Sequence, residues 1–242
     1  MVSKNQIKII TGLQQKKYRK LHKLFFAEGI KVVQELLNSN FELQQLFTTE
    51  DIFKGIPKSK IELITETELI KISVLTTPNT CLALFSIPEE KPVADSGLIV
   101  ALDDIRDPGN LGTIIRLCDW FGITDLVCSE NCVDAYNPKV VQATMGSLSR
   151  VNIIYTDLED YLNLTKLPVF GTFMDGKNIY AETLPKDGII VMGNEANGIS
   201  AEIEMLVTNK IAIPRFGNLQ LTESLNVATA AAITLSEFRR NQ

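Results

Sequence analysis

The sequence has few of the residues on which acid–base catalysis and metal binding usually depend. Among 242 residues there is one histidine, His22, and it lies in a stretch rich in lysine and arginine at 16–23. Surrounding positive charge disfavours a protonated imidazole, so we interpret His22 as a solvated surface residue. Sites that need several histidines are excluded, and a Ser-His-Asp triad would depend on this residue alone.

Cysteine is also scarce, and its spacing does not indicate a metal site. The chain lacks the C-x-x-C pairs of zinc sites, and Cys128 and Cys132 have no second pair or nearby histidine to complete a ligand set. We therefore predict no metal. We expect the reduced, buried thiols of a cytoplasmic protein at Cys81, Cys118, Cys128 and Cys132.

Long apolar runs and phosphate-binding glycine motifs are missing as well. No segment is apolar over the length needed to cross a bilayer, and no apolar signal sequence follows Met1, so we expect a soluble cytoplasmic protein. Neither G-x-G-x-x-G nor a Walker A sequence is present. A dehydrogenase or a hydrolase therefore has no support.

The composition is that of a globular protein, but its charge is unevenly distributed. Hydrophobic residues make up 45% and charged residues 22%, and the net charge of −5 by itself argues against a nucleic-acid-binding module. Residues 1–31 nevertheless contain eight basic side chains and one acidic one. This basic segment is either a solubilising helix face or a surface for the phosphates of a nucleic acid.

The chain divides at a linker that contains proline. Up to about residue 87 the pattern predicts a small α/β unit, with a helix beginning near Thr65. Short strands are predicted there at 24–26, 43–47, 61–64 and 81–85. Two prolines then flank charged residues between Ile87 and Pro92, which is typical of a linker.

Beyond the linker, apolar β-branched segments alternate with helical ones. Strands are predicted at 98–102, 125–128, 151–154, 169–172, 189–192 and 210–213. Short apolar strands separated by helices indicate a parallel sheet that is covered on both faces. We therefore predict an α/β fold class for this part of the chain.

Three polar loops follow strands of this predicted sheet, where parallel α/β sheets bind ligands. Taken singly, each loop has a structural interpretation: a turn before a salt-bridged helix arginine, a left-handed Asn-Gly turn, and the start of a buried C-terminal helix. Their sequences are Asn110-x-Gly112-x-x-x-Arg116, Met192-Gly193-Asn194-Glu195-x-x-Gly198 and Ser224-Leu225-Asn226-Val227-Ala228.

In this order and at these spacings, the three loops resemble the motifs of the SpoU (TrmH-like) RNA ribose 2′-O-methyltransferases of the SPOUT superfamily. The resemblance covers about residues 95–240. In the N-terminal unit, Phe26-Ala27-Glu28-Gly29-x-Lys31-x-Val33-x-Glu35 is similar to the family's L30e-like RNA-binding domain. The resemblance implies an L30e-like substrate-binding domain at 1–87, a linker at 88–95 and a methyltransferase domain at 96–242.

The resemblance also implies a deep trefoil knot in the α/β domain, S-adenosylmethionine (SAM) as cofactor, and a homodimer formed through the knot region. One departure from the family lies in the third loop, where Gly217 and Ser224 are seven residues apart and the family has a shorter spacing. By position, the cofactor site would consist of Thr172, Gly176, Met192, Gly193, Ile213, Leu225, Asn226 and Val227.

For catalysis, the resemblance implies that Arg116 is the main residue, with Asn110, Glu195, Ser224 and Asn226 completing the group. Arginine stays protonated up to a pKa above about 12. We therefore assign to Arg116 the stabilisation of the developing ribose alkoxide rather than proton abstraction. An RNA phosphate is a candidate proton acceptor.

The N-terminal unit would bind the RNA, with contacts from Lys16, Lys17, Arg19 and Lys20. We expect large-subunit (23S) ribosomal RNA as the substrate, because tRNA-specific members of the family tend to lack the L30e-like domain. Two alternatives stay open at this point. One is a tRNA ribose methyltransferase, and the other is a non-catalytic RNA-binding factor of ribosome assembly that has kept the fold.

Overall fold

The chain folds into two units, neither of which is continuous in sequence. Unit 1 comprises Met1–Glu89 and Asp134–Ser149, and unit 2 comprises Glu90–Val133 and Arg150–Gln242. The computed structural model describes residues 1–216 and 224–240. The longer spacing noted between Gly217 and Ser224 therefore falls largely outside the described residues.

Helices and strands alternate along most of the chain. Within the described ranges the α-helices are α1 (Lys4–Gly12), α2 (Lys16–His22), α3 (Ile30–Leu37), α4 (Glu66–Ile72), α5 (Pro108–Trp120), α6 (Pro138–Thr144), α7 (Leu158–Leu164), α8 (Ala201–Glu204) and α9 (Val227–Arg239). The strands are β1 (Leu24–Glu28), β2 (Leu43–Thr48), β3 (Ile61–Leu63), β4 (Cys81–Ser86), β5 (Leu98–Leu102), β6 (Asp125–Ser129), β7 (Asn152–Thr156), β8 (Val169–Asn178), β9 (Gly188–Met192) and β10 (Asn209–Ala212). Each strand predicted from the sequence is present, and β8 is longer than predicted.

Unit 1 is built on a four-stranded sheet in the order β1-β4-β2-β3. Two of its helices begin with reciprocal caps, Ser3 with Gln6 at α1 and Thr65 with Glu68 at α4. The second cap confirms the helix start predicted near Thr65. The hydrophobic core of the unit includes the buried side chains of Ile10, Leu13, Phe26, Phe47 and Leu82.

The segment Asp134–Ser149 belongs to unit 1 although it lies between two strands of unit 2 in sequence. Its helix α6 packs on β1, and the Tyr136 ring lies 4.9 Å from the Phe25 ring. Asp134 binds the guanidinium of Arg19, a residue 115 positions away. From its position in the chain, this segment would be assigned to the C-terminal domain. Nothing in its composition indicates that its partners are so distant in sequence.

Unit 2 contains a six-stranded sheet in the order β10-β8-β9-β5-β6-β7, and all neighbouring strands are parallel. The strands β5 and β9 are buried along their whole length, which agrees with their unbroken apolar sequences. The parallel α/β sheet predicted from the sequence is confirmed. Because the strands are parallel, the loops that follow them lie at one edge of the sheet.

The C-terminal helix α9 packs against α5 within unit 2. Asn226 caps it, because the Asn226 side chain accepts hydrogen bonds from the backbone of Ala228 and Thr229. Near its other end, Phe238 packs edge-on against Phe170 of β8. The trefoil knot stays a prediction, because the chain between β10 and α9 includes residues outside the described ranges.

The four cysteines are buried free thiols, as predicted. Burial raises the pKa of the Cys81 and Cys118 thiols to about 12, so both stay protonated at neutral pH. Among the described helices, none is both long and apolar enough to cross a membrane.

Candidate functional site

The first polar loop connects β5 to α5 and is shaped by a helix cap. Asp107 accepts a hydrogen bond from the backbone N–H of Asn110 at 2.8 Å. Pro108 occupies the first helical position, where a missing amide donor costs nothing. This cap places Asn110 in the first turn of α5 and Arg116 further along the same helix.

Asn110 joins the second and third loops through two side-chain hydrogen bonds. Its Nδ2 donates to Glu195 Oε1 at 2.6 Å, and its Oδ1 accepts from Asn226 Nδ2 at 2.9 Å. Asn226 already uses its Oδ1 to cap α9, which fixes the orientation of its amide. The bonds link residues 85 and 116 positions apart, so three of the predicted catalytic residues form one chain of contacts.

Three further polar residues, Asp103, Asp104 and Asn194, connect the first and second loops and were not predicted as site residues. The buried Asp103 accepts a hydrogen bond from the Ser200 N–H at 2.7 Å, and Asn194 Nδ2 donates to the Asp104 carbonyl at 2.7 Å. Asp104 has a φ of 57°, in the left-handed region that Asp tolerates better than most residues. Two aspartates directly after an apolar strand were the sequence signal for this role.

The second loop folds back tightly on the end of β9, and Gly193 makes this possible. A Cβ atom at Gly193 would lie 2.3 Å from the backbone of Gly198 and Ile199. Asn194 and Gly198 pair across the turn, where Gly198 has a φ of 72°. The left-handed Asn-Gly turn predicted from the sequence is confirmed, and the same loop contains Glu195, which accepts the hydrogen bond from Asn110.

Arg116 and Ser224 lie outside this chain of hydrogen bonds. Both side chains are exposed, Arg116 on α5 and Ser224 before α9. Neither makes a hydrogen bond or ion pair with any residue in the described ranges. The purely structural interpretation of the first loop, in which Arg116 forms a salt bridge on its helix, is therefore wrong. The Arg116 guanidinium can bind a ligand.

The residues predicted to bind the cofactor lie in or just after three neighbouring strands and at the start of α9. Thr172 lies in β8 and donates from its Oγ1 to the Val191 carbonyl at 3.4 Å, beside the end of β9. Gly176, later in β8, has no room for a Cβ atom, which would lie 2.4 Å from the Ile211 backbone. The remaining members are Met192 and Gly193 at β9, Ile213 after β10, and Leu225, Asn226 and Val227 at α9.

The chemistry of this set fits SAM. Its members offer backbone groups, a hydroxyl, an amide and apolar side chains, and none of the eight carries an ionised side chain. A sulfonium cation needs no anionic cradle but is repelled by a neighbouring lysine or arginine. Ile213 and Leu225 add apolar surface suited to the adenine ring.

In unit 1, helix α2 carries the residues predicted to bind RNA. Lys16, Lys17 and Lys20 are exposed on it, and Lys17 Nζ lies 4.8 Å from the centre of the Tyr18 ring. Three exposed ammonium groups within two turns of a helix form a surface suited to phosphate groups.

The prediction for Arg19 is corrected, because this residue is 2% exposed. Its Nε donates to Asp134 Oδ2 at 2.8 Å, and its Nη1 donates to the carbonyls of Leu13 and Gln14 at 2.7 and 2.9 Å. A guanidinium enclosed in this way cannot contact an RNA phosphate. Arg19 instead anchors the segment Asp134–Ser149 within unit 1.

Within residues 1–216 and 224–240, no group of three or more His, Cys, Asp or Glu side chains is arranged to hold a metal ion.

Comparison with known proteins identifies relatives along the whole chain. The chain is 29% identical to the 23S rRNA (guanosine(2553)-2′-O)-methyltransferase RlmP of Bacillus subtilis, over 98% of this chain and 97% of that protein. The structure is similar to that of a TrmH-family protein from Porphyromonas gingivalis, with a TM-score of 0.91, 37% identity and complete coverage of both chains. It is also similar to an AdoMet-bound rRNA methyltransferase from Sinorhizobium meliloti, with a TM-score of 0.86, 27% identity, and coverage of 100% and 97%.

Family models match both parts of the chain. Residues 4–83 match the MRM3-like substrate-binding domain. Residues 97–236, which contain all three polar loops, match the SpoU rRNA methylase family. The chain therefore belongs to the SpoU rRNA methylase family.

Proposed function

We propose that this chain is a SAM-dependent RNA methyltransferase that methylates a ribose 2′-hydroxyl of large-subunit ribosomal RNA. The observation that carries the proposal is the contact chain Asn226–Asn110–Glu195, with the exposed Arg116 on the helix that also carries Asn110. The Bacillus subtilis relative is named for this reaction on 23S rRNA, and the similarity covers 98% of the present chain.

The attacking ribose hydroxyl loses its proton as it reacts, so the site has to stabilise a developing alkoxide. Arg116 suits this role, because a guanidinium stays charged at neutral pH and offers several N–H donors. Asn110 is held from both sides by Glu195 and Asn226, so its amide can position the ribose or Arg116. The exposed hydroxyl of Ser224 offers a further hydrogen bond to the substrate. The proton itself passes to a group other than Arg116, and an RNA phosphate is the acceptor we propose.

When bound, SAM supplies the methyl group from its sulfonium. We propose that the neutral surface formed by the eight residues around β8, β9, β10 and the start of α9 holds it. Thr172, Met192 and Gly193 come close to one another there, because the Thr172 hydroxyl lies 3.4 Å from the Val191 carbonyl and 3.8 Å from Met192 Sδ.

Ribosomal RNA is the substrate we favour over tRNA because of unit 1. Residues 4–83 match a substrate-binding domain, and α2 exposes Lys16, Lys17 and Lys20. Binding through such lysines depends on phosphate charge and should weaken as the salt concentration rises. An enzyme acting on ribosomal RNA works where ribosomes are assembled, so we place it in the cytoplasm.

We also propose a homodimer that covers the surface of α5 and α9. The two helices pack together, and Trp120 at the end of α5 remains 83% exposed in a single chain. Tryptophan is enriched among the residues that contribute most of the binding energy in protein interfaces.

Replacing Arg116 by alanine tests the proposed catalytic role. We expect methyl transfer from SAM to large-subunit rRNA to fall by at least about 100-fold, because the group that stabilises the alkoxide is lost. SAM affinity, measured by titration calorimetry, should stay close to that of the wild type. Arg240→Ala is the control, since Arg240 is also an exposed arginine of unit 2 but lies at the end of α9, where it pairs with Glu237. Turnover of Arg116→Ala within a few-fold of the wild type would contradict the assignment.

A further inference from the structure

We propose, on the basis of the function proposed above, that Arg106 binds a phosphate of the RNA next to the methylated ribose, and that Asp104 orients it. Arg106 lies in the loop between β5 and α5, four residues before Asn110. It is not among the site residues predicted from the sequence.

Arg106 is an exposed cation that is held at one position. Its Nε donates to Asp104 Oδ1 at 2.8 Å, while its side chain remains 71% exposed. The Nη groups make no hydrogen bond with any residue of the described ranges. A guanidinium whose Nε is fixed presents its remaining N–H donors as a planar fork, which matches the oxygens of a phosphate.

Asp104 is well placed to orient Arg106, because residues from the ends of two neighbouring strands fix its backbone. The Asp104 N–H donates at 2.9 Å to the Oγ of Ser129, the last residue of β6, and its carbonyl accepts at 2.7 Å from the Nδ2 of Asn194, after β9. Its left-handed φ of 57° is thus held by neighbours on both sides of β5. The carboxylate that binds Arg106 is therefore part of a fixed framework.

The charge of the surrounding loops shows why a cation is needed here. Four carboxylates lie in the first two loops, at Asp103, Asp104, Asp107 and Glu195. A phosphodiester that approaches them meets a negative field. The basic side chains between residues 103 and 116 are Arg106 and Arg116, and the loop from 193 to 200 has none. With Arg116 assigned to the reacting oxygen, Arg106 remains to bind a phosphate.

The carboxylate of SAM is the other anion at this site, and the sheet order argues against it as the ligand of Arg106. The residues proposed for SAM lie in or just after β8, β9 and β10 and at the start of α9, whereas Arg106 follows β5, beyond β9 in the sheet. We therefore assign Arg106 to the RNA and use SAM affinity as the measurement that separates the two ligands.

The experiment compares Arg106→Gln with a matched control, Arg150→Gln. Arg150 is also an exposed arginine that donates from its Nε to an aspartate, Asp119 Oδ2, at 2.8 Å, and its side chain is 45% exposed. It lies just before β7, at the amino ends of the parallel strands, whereas Arg106 follows the carboxyl end of β5. Both substitutions remove one positive charge from unit 2. The full-length protein is assayed with in vitro transcribed 23S rRNA and SAM.

We expect Arg106→Gln to raise the KM for RNA about tenfold with kcat within about twofold, because a contact made equally in ground and transition states changes KM alone. The slope of log affinity against log salt concentration should become shallower by about 0.7–0.9, the value for one phosphate contact. Arg106→Lys should keep the slope and recover KM in part, since the charge remains and the fork is lost. Arg150→Gln should match the wild type, and SAM affinity should not change in any variant.

Asp104→Asn tests the orienting role, because asparagine also tolerates the left-handed backbone. We expect a higher KM with an unchanged salt slope, since the cation remains but its orientation is lost.

The inference is overturned if Arg106→Gln behaves like Arg150→Gln, or if it weakens SAM affinity instead of RNA affinity. An unchanged KM in Asp104→Asn would remove the orienting role. A wild-type protein without methyl transfer would refute the proposed function, while the salt slope would still test Arg106.

Discussion

Asn110 connects three loops through a single amide, which uses its donor and its acceptor at the same time. Its Nδ2 binds Glu195 and its Oδ1 binds Asn226. An amide can do both, whereas an ionised carboxylate at this position would offer only acceptors to Glu195 as well as to Asn226. The alignment of the proposed catalytic group therefore depends on the chemical identity of one residue.

Asn110→Asp should place two carboxylates within hydrogen-bond distance of each other. An ionised carboxylate at position 110 has no proton to donate, so the variant loses the hydrogen bond to Glu195 and brings two like charges together, and we expect kcat to fall at least about tenfold. As the pH falls, the pair gains a proton and the bond can re-form. The activity of the variant relative to wild type should therefore rise as the pH is lowered, which a pH–rate profile measures.

The control for this substitution is Asn131→Asp, which changes an exposed asparagine of the same unit and should leave the profile unchanged. A ratio of variant to wild-type activity that does not vary with pH would show that the contact with Glu195 does not affect catalysis.

The residues of this group could be predicted from the sequence, but their contacts could not. Asn110, Glu195 and Asn226 each follow a predicted strand in a family-like motif, so a common site was a reasonable expectation. Their hydrogen bonds depend on the Asp107 cap and on the tight turn at Gly193, which set side-chain directions that spacing does not encode. Arg106 could not be distinguished from a solubilising arginine until its pairing with Asp104 was known.

At the scale of elements, α2 combines an exposed basic surface with a buried anchor. Lys16, Lys17 and Lys20 are exposed, whereas Arg19 is enclosed by Asp134 and by two backbone carbonyls. In the sequence these four residues form one basic run, and their charges alone do not separate them. The partner that buries Arg19 comes from a segment 115 residues away, so the sequence could not predict the difference.

Substitutions in α2 should separate stability from RNA binding. Arg19→Gln leaves Asp134 without its cationic partner, and we expect a loss of about 3–5 kcal/mol in the free energy of unfolding, as for other broken buried ion pairs. Denaturant unfolding measures this loss, and RNA affinity of the folded protein should change little.

The combined variant Lys16→Gln, Lys17→Gln and Lys20→Gln should do the reverse, with normal stability and a weaker, less salt-sensitive affinity for RNA. Equal stability losses in the two variants, or unchanged RNA affinity in the lysine variant, would contradict this division.

The strands of unit 2 were predictable because each is a short apolar run between polar loops. The assignment of α6 to unit 1 was not, since it depends on contacts with β1 and Arg19 rather than on local sequence. Elements defined by periodicity could thus be found from the sequence, and an element defined by its partners could not.

At the scale of the whole molecule, the two units differ in charge. Unit 1 has 13 basic and 10 acidic side chains, a net charge of +3, and unit 2 has 11 and 19, a net charge of −8. The overall charge of −5 is therefore an average over a basic unit proposed to bind RNA and an acidic unit proposed to hold a cationic cofactor. The average argued against nucleic acid, and the division between units removes that objection.

The central claim is that the chain methylates a ribose 2′-hydroxyl of large-subunit rRNA, and mapping of 2′-O-methyl groups tests it most directly. Total RNA is compared from a strain that lacks the gene and from the same strain carrying either the wild-type gene or Arg116→Ala. We predict that a ribose methylation in large-subunit rRNA is absent from the deletion strain and is restored by the wild-type gene alone. Large-subunit rRNA with the same methylated riboses in all three strains would contradict the account, and a loss confined to tRNA would show that the proposed substrate is wrong.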